Sequence, residues 1–158
     1  MRKIIPLLFA VLLSGACSSI DCPLNNTIYA VYTLDGEVKM LTDTLTITTK
    51  RNDGRDTILL NKSVNTTDFR LPMSYKGDND MVILSMTDTF HVTRTDTIRI
   101  NKTNDPHFES VDCAPVYFHT LTGVSYTTNT ISEVTISKPL VNYETTETNL
   151  YIFFKPRD

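Results

Sequence analysis

The feature that most constrains the fold is an alternation of apolar and hydroxyl-bearing residues with a period of two. Leu45 and Ile47 alternate with threonines, and Ile98 and Ile100 alternate with polar side chains in the same way. Because successive side chains of a β-strand point to opposite faces, each segment would have one buried face and one hydrated face. Threonine, which favours strands, occurs 25 times in 158 residues. The sequence therefore predicts an all-β chain of antiparallel strands.

Turn signals divide this pattern into short segments. A strong one is Asn52-Asp53-Gly54, which predicts a hairpin between two alternating segments. Four segments are apolar on both faces and are expected at central positions in the sheets, namely residues 28–34, 81–86, 116–121 and 150–154. We expect about eight or nine strands in an antiparallel two-sheet β-sandwich of immunoglobulin-like type. Composition does not shift along residues 22–158, which we interpret as a single domain.

The first sixteen residues have the organisation of a signal peptide. Two basic residues precede an apolar stretch at 4–13, which as a helix would span about 15 Å and is too short to cross a bilayer. The small residues before Cys17 resemble the lipobox of bacterial lipoproteins, which implies cleavage before Cys17 and acylation of that residue. Leu13 lies one position further from the cysteine than the usual pattern. The alternative is an ordinary secretory signal that ends at Ala16.

Cleavage at this point would leave a lipidated cysteine and a short tether at residues 17–21. The formal net charge of the full chain is −3, and no basic cluster is present, so nucleic-acid binding is not expected. Cleavage would remove Arg2 and Lys3 and leave a net charge of −5, which disfavours electrostatic adsorption to an anionic membrane. Attachment to the membrane would depend on the acyl chains. Ser18 resembles the residue that follows the cysteine in lipoproteins sent to the outer membrane. Lipoproteins exported to the surface of Bacteroides-like bacteria usually carry an acidic cluster after the cysteine, whereas Asp21 is the only acidic residue in this tether. We therefore expect a periplasm-facing domain, with surface exposure as the alternative.

Two cysteines remain in the predicted domain, Cys22 and Cys113. In an oxidising envelope compartment they are expected to form a disulfide. Neither cysteine has a CxxC partner, which disfavours metal binding. A bridge between these cysteines would close a loop of about 90 residues. In the chain-entropy treatment it would stabilise the fold by at most ~4–5 kcal/mol.

A short Asp-Thr-apolar string occurs four times in the sequence. We interpret each copy as the start of a strand, where Asp favours the preceding turn and Thr begins the strand. In Bacteroides-like bacteria the same string resembles a periplasmic O-glycosylation signal. Three copies match that signal well and make Thr44, Thr57 and Thr97 candidate glycosylation sites. The fourth copy begins at Asp88.

Several longer segments form a recognisable series, namely Cys22-Pro23-Leu24-Asn25-Asn26-Thr27, Phe69-Arg70-Leu71-Pro72, Asp96-Thr97-Ile98-Arg99-Ile100 and Phe108-Glu109-Ser110-Val111-Asp112-Cys113. Together they resemble an uncharacterised family of small Bacteroides-type envelope lipoproteins. The resemblance covers nearly the whole predicted domain. It implies a β-sandwich envelope lipoprotein with both cysteines at matching positions, and it brings no activity and no catalytic residues.

The sequence contains little that indicates catalysis. The nucleophile motifs GxSxG and SxxK do not occur. His91 is interpreted as a surface residue, and His119 as a half-buried sheet residue. Asp105, His107 and Glu109 would share one face of an extended segment, but we interpret them as a polar turn rather than a zinc site. We predict no metal and no cofactor.

Glycan binding is the main alternative for an envelope β-sandwich. The chain has no tryptophan, so Tyr75 and Tyr143, which are next to predicted loops, are the candidate ligand aromatics. The competing interpretation places both tyrosines at the edge of the core. We expect a non-enzymatic protein that binds or scaffolds another envelope protein through the surface that faces away from the membrane. A small-ligand or glycan-binding module is the alternative.

Overall fold

A computed structural model of the chain describes residues 22, 27–50, 55–143 and 146–156. The predicted leader, Cys17, the tether and the turn at 51–54 lie outside the described residues. The described part is all-β and contains no helix, so it has none that could cross a membrane. It has ten strands: β1 Tyr29–Asp35, β2 Thr44–Lys50, β3 Asp56–Ser63, β4 Asp68–Pro72, β5 Asn79–Thr87, β6 Thr93–His107, β7 Val116–Tyr126, β8 Ile131–Ile136, β9 Leu140–Val141 and β10 Leu150–Phe154.

The strands form two sheets, which confirms the predicted β-sandwich. The smaller sheet has the order β4-β1-β10-β8, and the larger has the order β3-β2-β5-β6-β7-β9. All the pairs are antiparallel except β1 and β10, which run parallel with Tyr32 opposite Leu150. The alternation of side chains reports which face is buried and not the direction of the neighbouring strand. The parallel pair therefore has no signature in the sequence.

The buried faces of both sheets form one core, as the period of two predicts. Leu45, Ile47, Ile98 and Ile100 are all buried, while the threonines that alternate with the first two are partly exposed. Three of the four doubly apolar segments, in β1, β5 and β10, are interior strands as expected. The fourth, in β7, is paired on one side with β6 along its length and on the other side only with the two residues of β9.

The connections between strands gather at two ends of the sandwich. We call one the disulfide end; it contains the connections 73–78, 108–115 and 137–139. Cys22 and Cys113 are bonded there with their Cα atoms 5.5 Å apart, which confirms the predicted pairing. We call the other the cleft end; it contains the connections 36–43, 64–67, 88–92 and 127–130.

Two of the four Asp-Thr strings do not begin strands, which corrects that interpretation. Asp88 and Thr89 belong to the β5–β6 hairpin turn, where His91 has a φ of +64°. Asp96 and Thr97 lie within β6, and Asp96 is fully buried. The short string fits both places because Asp accepts hydrogen bonds from nearby backbone N–H groups in turns and in buried sites alike.

Candidate functional site

One row of side chains along β6 organises both ends of the core. Asp96, Ile98, Ile100, Lys102 and Asn104 alternate along the strand and face the smaller sheet. The two isoleucines fill the centre, whereas a buried carboxylate lies toward the cleft end and a buried ammonium group toward the disulfide end. Neither of these buried charges is predicted from the sequence. The signal that could have found them is their position in register with Ile98 and Ile100.

Asp96 holds the β7–β8 connection in place. Its carboxylate accepts hydrogen bonds from the backbone N–H groups of Asn129 at 2.8 Å and Thr130 at 2.7 Å, and from Ile131 at 3.2 Å. The hydroxyls of Thr127 and Thr130 also donate to it, each at 2.6 Å. Burial by itself would raise the pKa of Asp96, but these hydrogen bonds hold the pKa below its ordinary value. Asp96 is therefore a charged anchor for residues 127–131.

An open cavity of about 190 Å³ lies next to this anchor and enters the core between the two sheets. We call it the cleft. Met86 of the larger sheet and Phe154 of the smaller sheet both line it, and Thr130, which Asp96 fixes, forms part of the wall. Its lining is mainly apolar and consists of Val38, Met40, Leu41, Thr42, Asp43, Met86, Thr130, Phe154 and Lys155.

Exposed apolar side chains surround the cleft end. Met40 is 48 % exposed, Val64 57 %, Phe90 86 % and Val92 48 %, and all four lie in connections at this end. By contrast, Ile58 is the only large exposed hydrophobic residue of strands β2 to β8 that the structure describes. Tyr75, Phe108 and Val111 are also exposed, at the disulfide end, so exposed apolar groups occur at both ends of the sandwich. Those at the cleft end lie beside an apolar cleft, a combination that is suited to contact with another protein.

The hairpin that carries Phe90 is ordered by hydrogen bonds. The Asp88 carboxylate accepts the backbone N–H groups of Phe90 and Val92, both at 2.9 Å. The backbone N–H group of Asp88 also donates a hydrogen bond to the backbone oxygen of Val92 at 3.1 Å. Phe90 is therefore presented to solvent by a fixed turn, and its ring does not fold back onto the core.

At the disulfide end, Lys102 ties the β4–β5 connection to the larger sheet. Its side chain is fully buried, and its ammonium group donates hydrogen bonds to the backbone oxygen of Ser74 and to Oδ1 of Asn104, the latter at 2.6 Å. Asp80 lies 4.0 Å from the same ammonium group. Burial lowers the pKa of Lys102, whereas it raises the pKa of Asp80. The pair and the carbonyl groups around it close this end of the sandwich.

His119 completes the buried cluster as a neutral side chain. Its Nδ1 lies 2.8 Å from Oδ1 of Asn104, so it donates to the oxygen that also receives the Lys102 hydrogen bond. Burial, together with the nearby charge of Lys102, lowers the pKa of His119 to about 4. An unfolded chain binds this proton near pH 6.5, so the stabilisation from neutral His119 is lost as pH falls from 6.5 toward 4. His119 is satisfied, as expected, but it is fully rather than half buried.

The structure does not bring the two predicted ligand tyrosines together. Tyr75 stacks on Tyr117 with ring centroids 5.7 Å apart, and Tyr143 packs edge-on against Phe118 at 5.2 Å. Residues 117 and 118 are consecutive in β7, so their side chains leave opposite faces of that strand. Tyr75 and Tyr143 are 59 % and 44 % exposed. Each presents a separate ring at the disulfide end, and they do not form one platform.

The three candidate glycosylation sites lie in different settings. Thr44 begins β2 beside Asp43 of the cleft, and Thr57 is the second residue of β3. Thr97 borders a shallow groove of about 410 Å³ on the outer face of the larger sheet. Because Asp96 is fully buried, a folded chain does not present the acidic residue of the Thr97 string. The groove is lined by Lys50, Met81, Ile83, Thr97, Arg99, Ser125, Tyr126 and Thr127.

The segment considered for zinc binding forms other contacts. His107 stacks on Phe118 with ring centroids 4.5 Å apart, and its Nε2 lies 3.5 Å from a carboxylate oxygen of Glu109. Within the described ranges, no three His, Cys, Asp or Glu residues are grouped so that they could hold a metal ion.

Comparison with known proteins places most of the described fold in one family. Residues 44–154 match DUF6452, a family of unknown function. The chain belongs to DUF6452. The match covers β2 to β10 and therefore includes Asp96, Lys102 and Cys113, whereas β1 and Cys22 precede it. No curated protein and no solved structure matches the chain. The family confirms the expectation of an uncharacterised domain and supplies no activity.

Proposed function

We propose that this DUF6452 protein is a lipid-anchored, non-enzymatic component of a bacterial cell envelope of the Bacteroides type. It binds or scaffolds another envelope protein through the cleft end. The anchor is Cys17, which follows a basic segment, an apolar segment and three small residues. Acyl chains on Cys17 attach the protein to the outer membrane, and the domain faces the periplasm.

The observation that carries this proposal is the position of the disulfide relative to the cleft. Cys22 is bonded to Cys113 at the disulfide end, and only four residues separate it from Cys17. Four extended residues span at most ~14 Å, so an anchor at Cys17 holds the disulfide end near the lipid. The cleft end, which contains Met40 and Phe90, then points away from the membrane and is accessible to a partner.

The chemistry of the cleft end favours a protein partner. Met40 is flexible and adapts to an apolar side chain placed in the cleft, while Phe90 on its fixed turn offers a large rigid contact. Burying a side chain of this size contributes about 1.5–3 kcal/mol. Glycan binding through Tyr75 or Tyr143 is the alternative function. It is less well supported because the two rings do not share a surface and both lie at the disulfide end.

Site-specific photocrosslinking in cells tests the proposal. A photoreactive amino acid is placed separately at Met40, at Phe90 and at Ile58, which is apolar and 58 % exposed but lies in the edge strand β3. We expect the same crosslinked protein from positions 40 and 90 and none from position 58. When Met40→Asp is added to the variant with the photoreactive amino acid at position 90, the yield of crosslinked product should fall roughly tenfold or more, because the substitution places a charge in an apolar contact.

Equal crosslinking at all three positions, or none at positions 40 and 90, would contradict binding at the cleft end. A crosslinked product that survives Met40→Asp unchanged would show that the contact does not use the cleft.

A further inference from the structure

The loop between β6 and β7 exposes apolar side chains beside the disulfide. Phe108 is 60 % exposed and Val111 is 97 % exposed, so Val111 makes almost no contact with the rest of the domain. The same loop contains Cys113, which is buried and bonded to Cys22. These apolar side chains are therefore next to the point where the chain leads toward Cys17.

The loop is held in position at both of its sides. β6 and β7 remain paired up to His107 opposite Val116, and the Cys113 N–H group donates to the backbone oxygen of Ser110 at 3.2 Å. The disulfide adds a covalent link to the N-terminal segment. Phe108 and Val111 are therefore presented on a constrained loop.

We propose that this loop inserts Phe108 and Val111 into the headgroup region of the bilayer, so that the domain stands on the membrane in a fixed orientation. This inference rests on the proposed anchoring through Cys17. The anchor confines the loop to the vicinity of the lipid, so a contact too weak to bind a membrane by itself becomes effectively intramolecular. Tyr143 is at the same end, where its ring packs edge-on against His107 and Phe118. A half-exposed tyrosine is typical of the boundary between lipid and water.

The charge of the loop identifies the lipid surface that it fits. Glu109 follows Phe108 and Asp112 follows Val111, and both acidic side chains are exposed. Carboxylates are repelled by anionic headgroups and are tolerated by zwitterionic ones. The loop therefore suits a surface rich in phosphatidylethanolamine or phosphatidylcholine.

The absence of tryptophan from the chain allows a direct test. Phe108→Trp and Phe90→Trp each create a protein with one tryptophan, at the exposed phenylalanine of a loop at either end of the sandwich. Each lipidated full-length protein is reconstituted into phosphatidylethanolamine/phosphatidylcholine vesicles, and the vesicles are isolated by flotation. We expect brominated lipid to quench roughly half of the F108W emission, because aromatic side chains in the interface lie within reach of the acyl chains. The F90W emission should be quenched by iodide in the water instead.

Val111→Asp in the F108W protein should restore most of the lost emission, since a charge on the loop opposes insertion. If the F108W protein floats with the vesicles but its emission is quenched by iodide as strongly as that of F90W, the loop does not contact lipid and the inference is overturned while the anchor stands. If neither protein floats, anchoring through Cys17 is wrong, and the inference is overturned with it.

Discussion

Asp96→Asn is expected to lower the free energy of unfolding by about 3–5 kcal/mol, because several buried donors lose a charged acceptor at once. The carboxylate accepts three backbone N–H groups and two hydroxyls. An asparagine side chain offers one acceptor oxygen in place of two. Its NH₂ group cannot accept hydrogen bonds, so the N–H and O–H groups that face it lose their acceptor. Urea denaturation at neutral pH, followed by circular dichroism, measures the loss.

The pH dependence separates this effect from a general packing defect. The folded-state pKa of Asp96 lies below the ordinary aspartate value of 3.8, so its contribution is present above that value and is lost as pH falls through the folded-state pKa. The difference between wild type and Asp96→Asn should therefore shrink under strongly acidic conditions. Asp56→Asn is the matched control, because Asp56 occupies an exposed copy of the same string and should change stability by less than about 0.5 kcal/mol. A loss below about 1 kcal/mol for Asp96→Asn would contradict the anchoring role.

Removing the disulfide by the double substitution Cys22→Ser and Cys113→Ser is expected to cost about 4 kcal/mol. The bridge joins residues 91 positions apart, and in the chain-entropy treatment so long a loop gives nearly the largest effect that a single disulfide provides. Both residues are replaced together so that no free thiol remains to form other bonds. The measurement is the urea midpoint of the double variant compared with that of oxidised and reduced wild type.

The reduced wild-type protein is the internal control for this experiment. Reduced wild type and the double variant should unfold at the same urea concentration, and both should unfold well below the oxidised protein. Coincident midpoints for all three samples would show that the disulfide does not constrain the unfolded chain. Asp96→Asn and the double variant affect opposite ends of the sandwich, so their effects should add.

The sequence predicted the sheets well because side-chain alternation directly reports burial. Leu45 and Ile47 face the core for that reason, and the Cys22–Cys113 bond was predicted from the oxidising compartment that we expect for this chain. The strand count and the parallel pairing of β1 and β10 could not be predicted in the same way. They depend on which strands become neighbours, and a local pattern does not encode this.

The charged residues of the core were harder to predict than the apolar ones. Asp96 and Lys102 continue the buried row of β6, but a charge is normally assigned to the surface unless its partners are known. Those partners, such as Thr130 and Ser74, lie in distant segments of the chain. The cleft was missed for the same reason, since it is formed where both sheets meet the connections 36–43 and 127–130, which are distant in the sequence.

The most direct test of the account is the membrane attachment of two single variants, Cys17→Ser and Cys22→Ser. Cell membranes are washed with high salt and alkaline carbonate, and the protein is measured in the pellet and in the supernatant. We predict that Cys17→Ser releases the protein entirely, because no acyl chain remains. Cys22→Ser should stay in the pellet, although it lacks the disulfide. Retention of the Cys17→Ser protein in the washed membranes would contradict the lipid anchor on which the orientation of both ends depends.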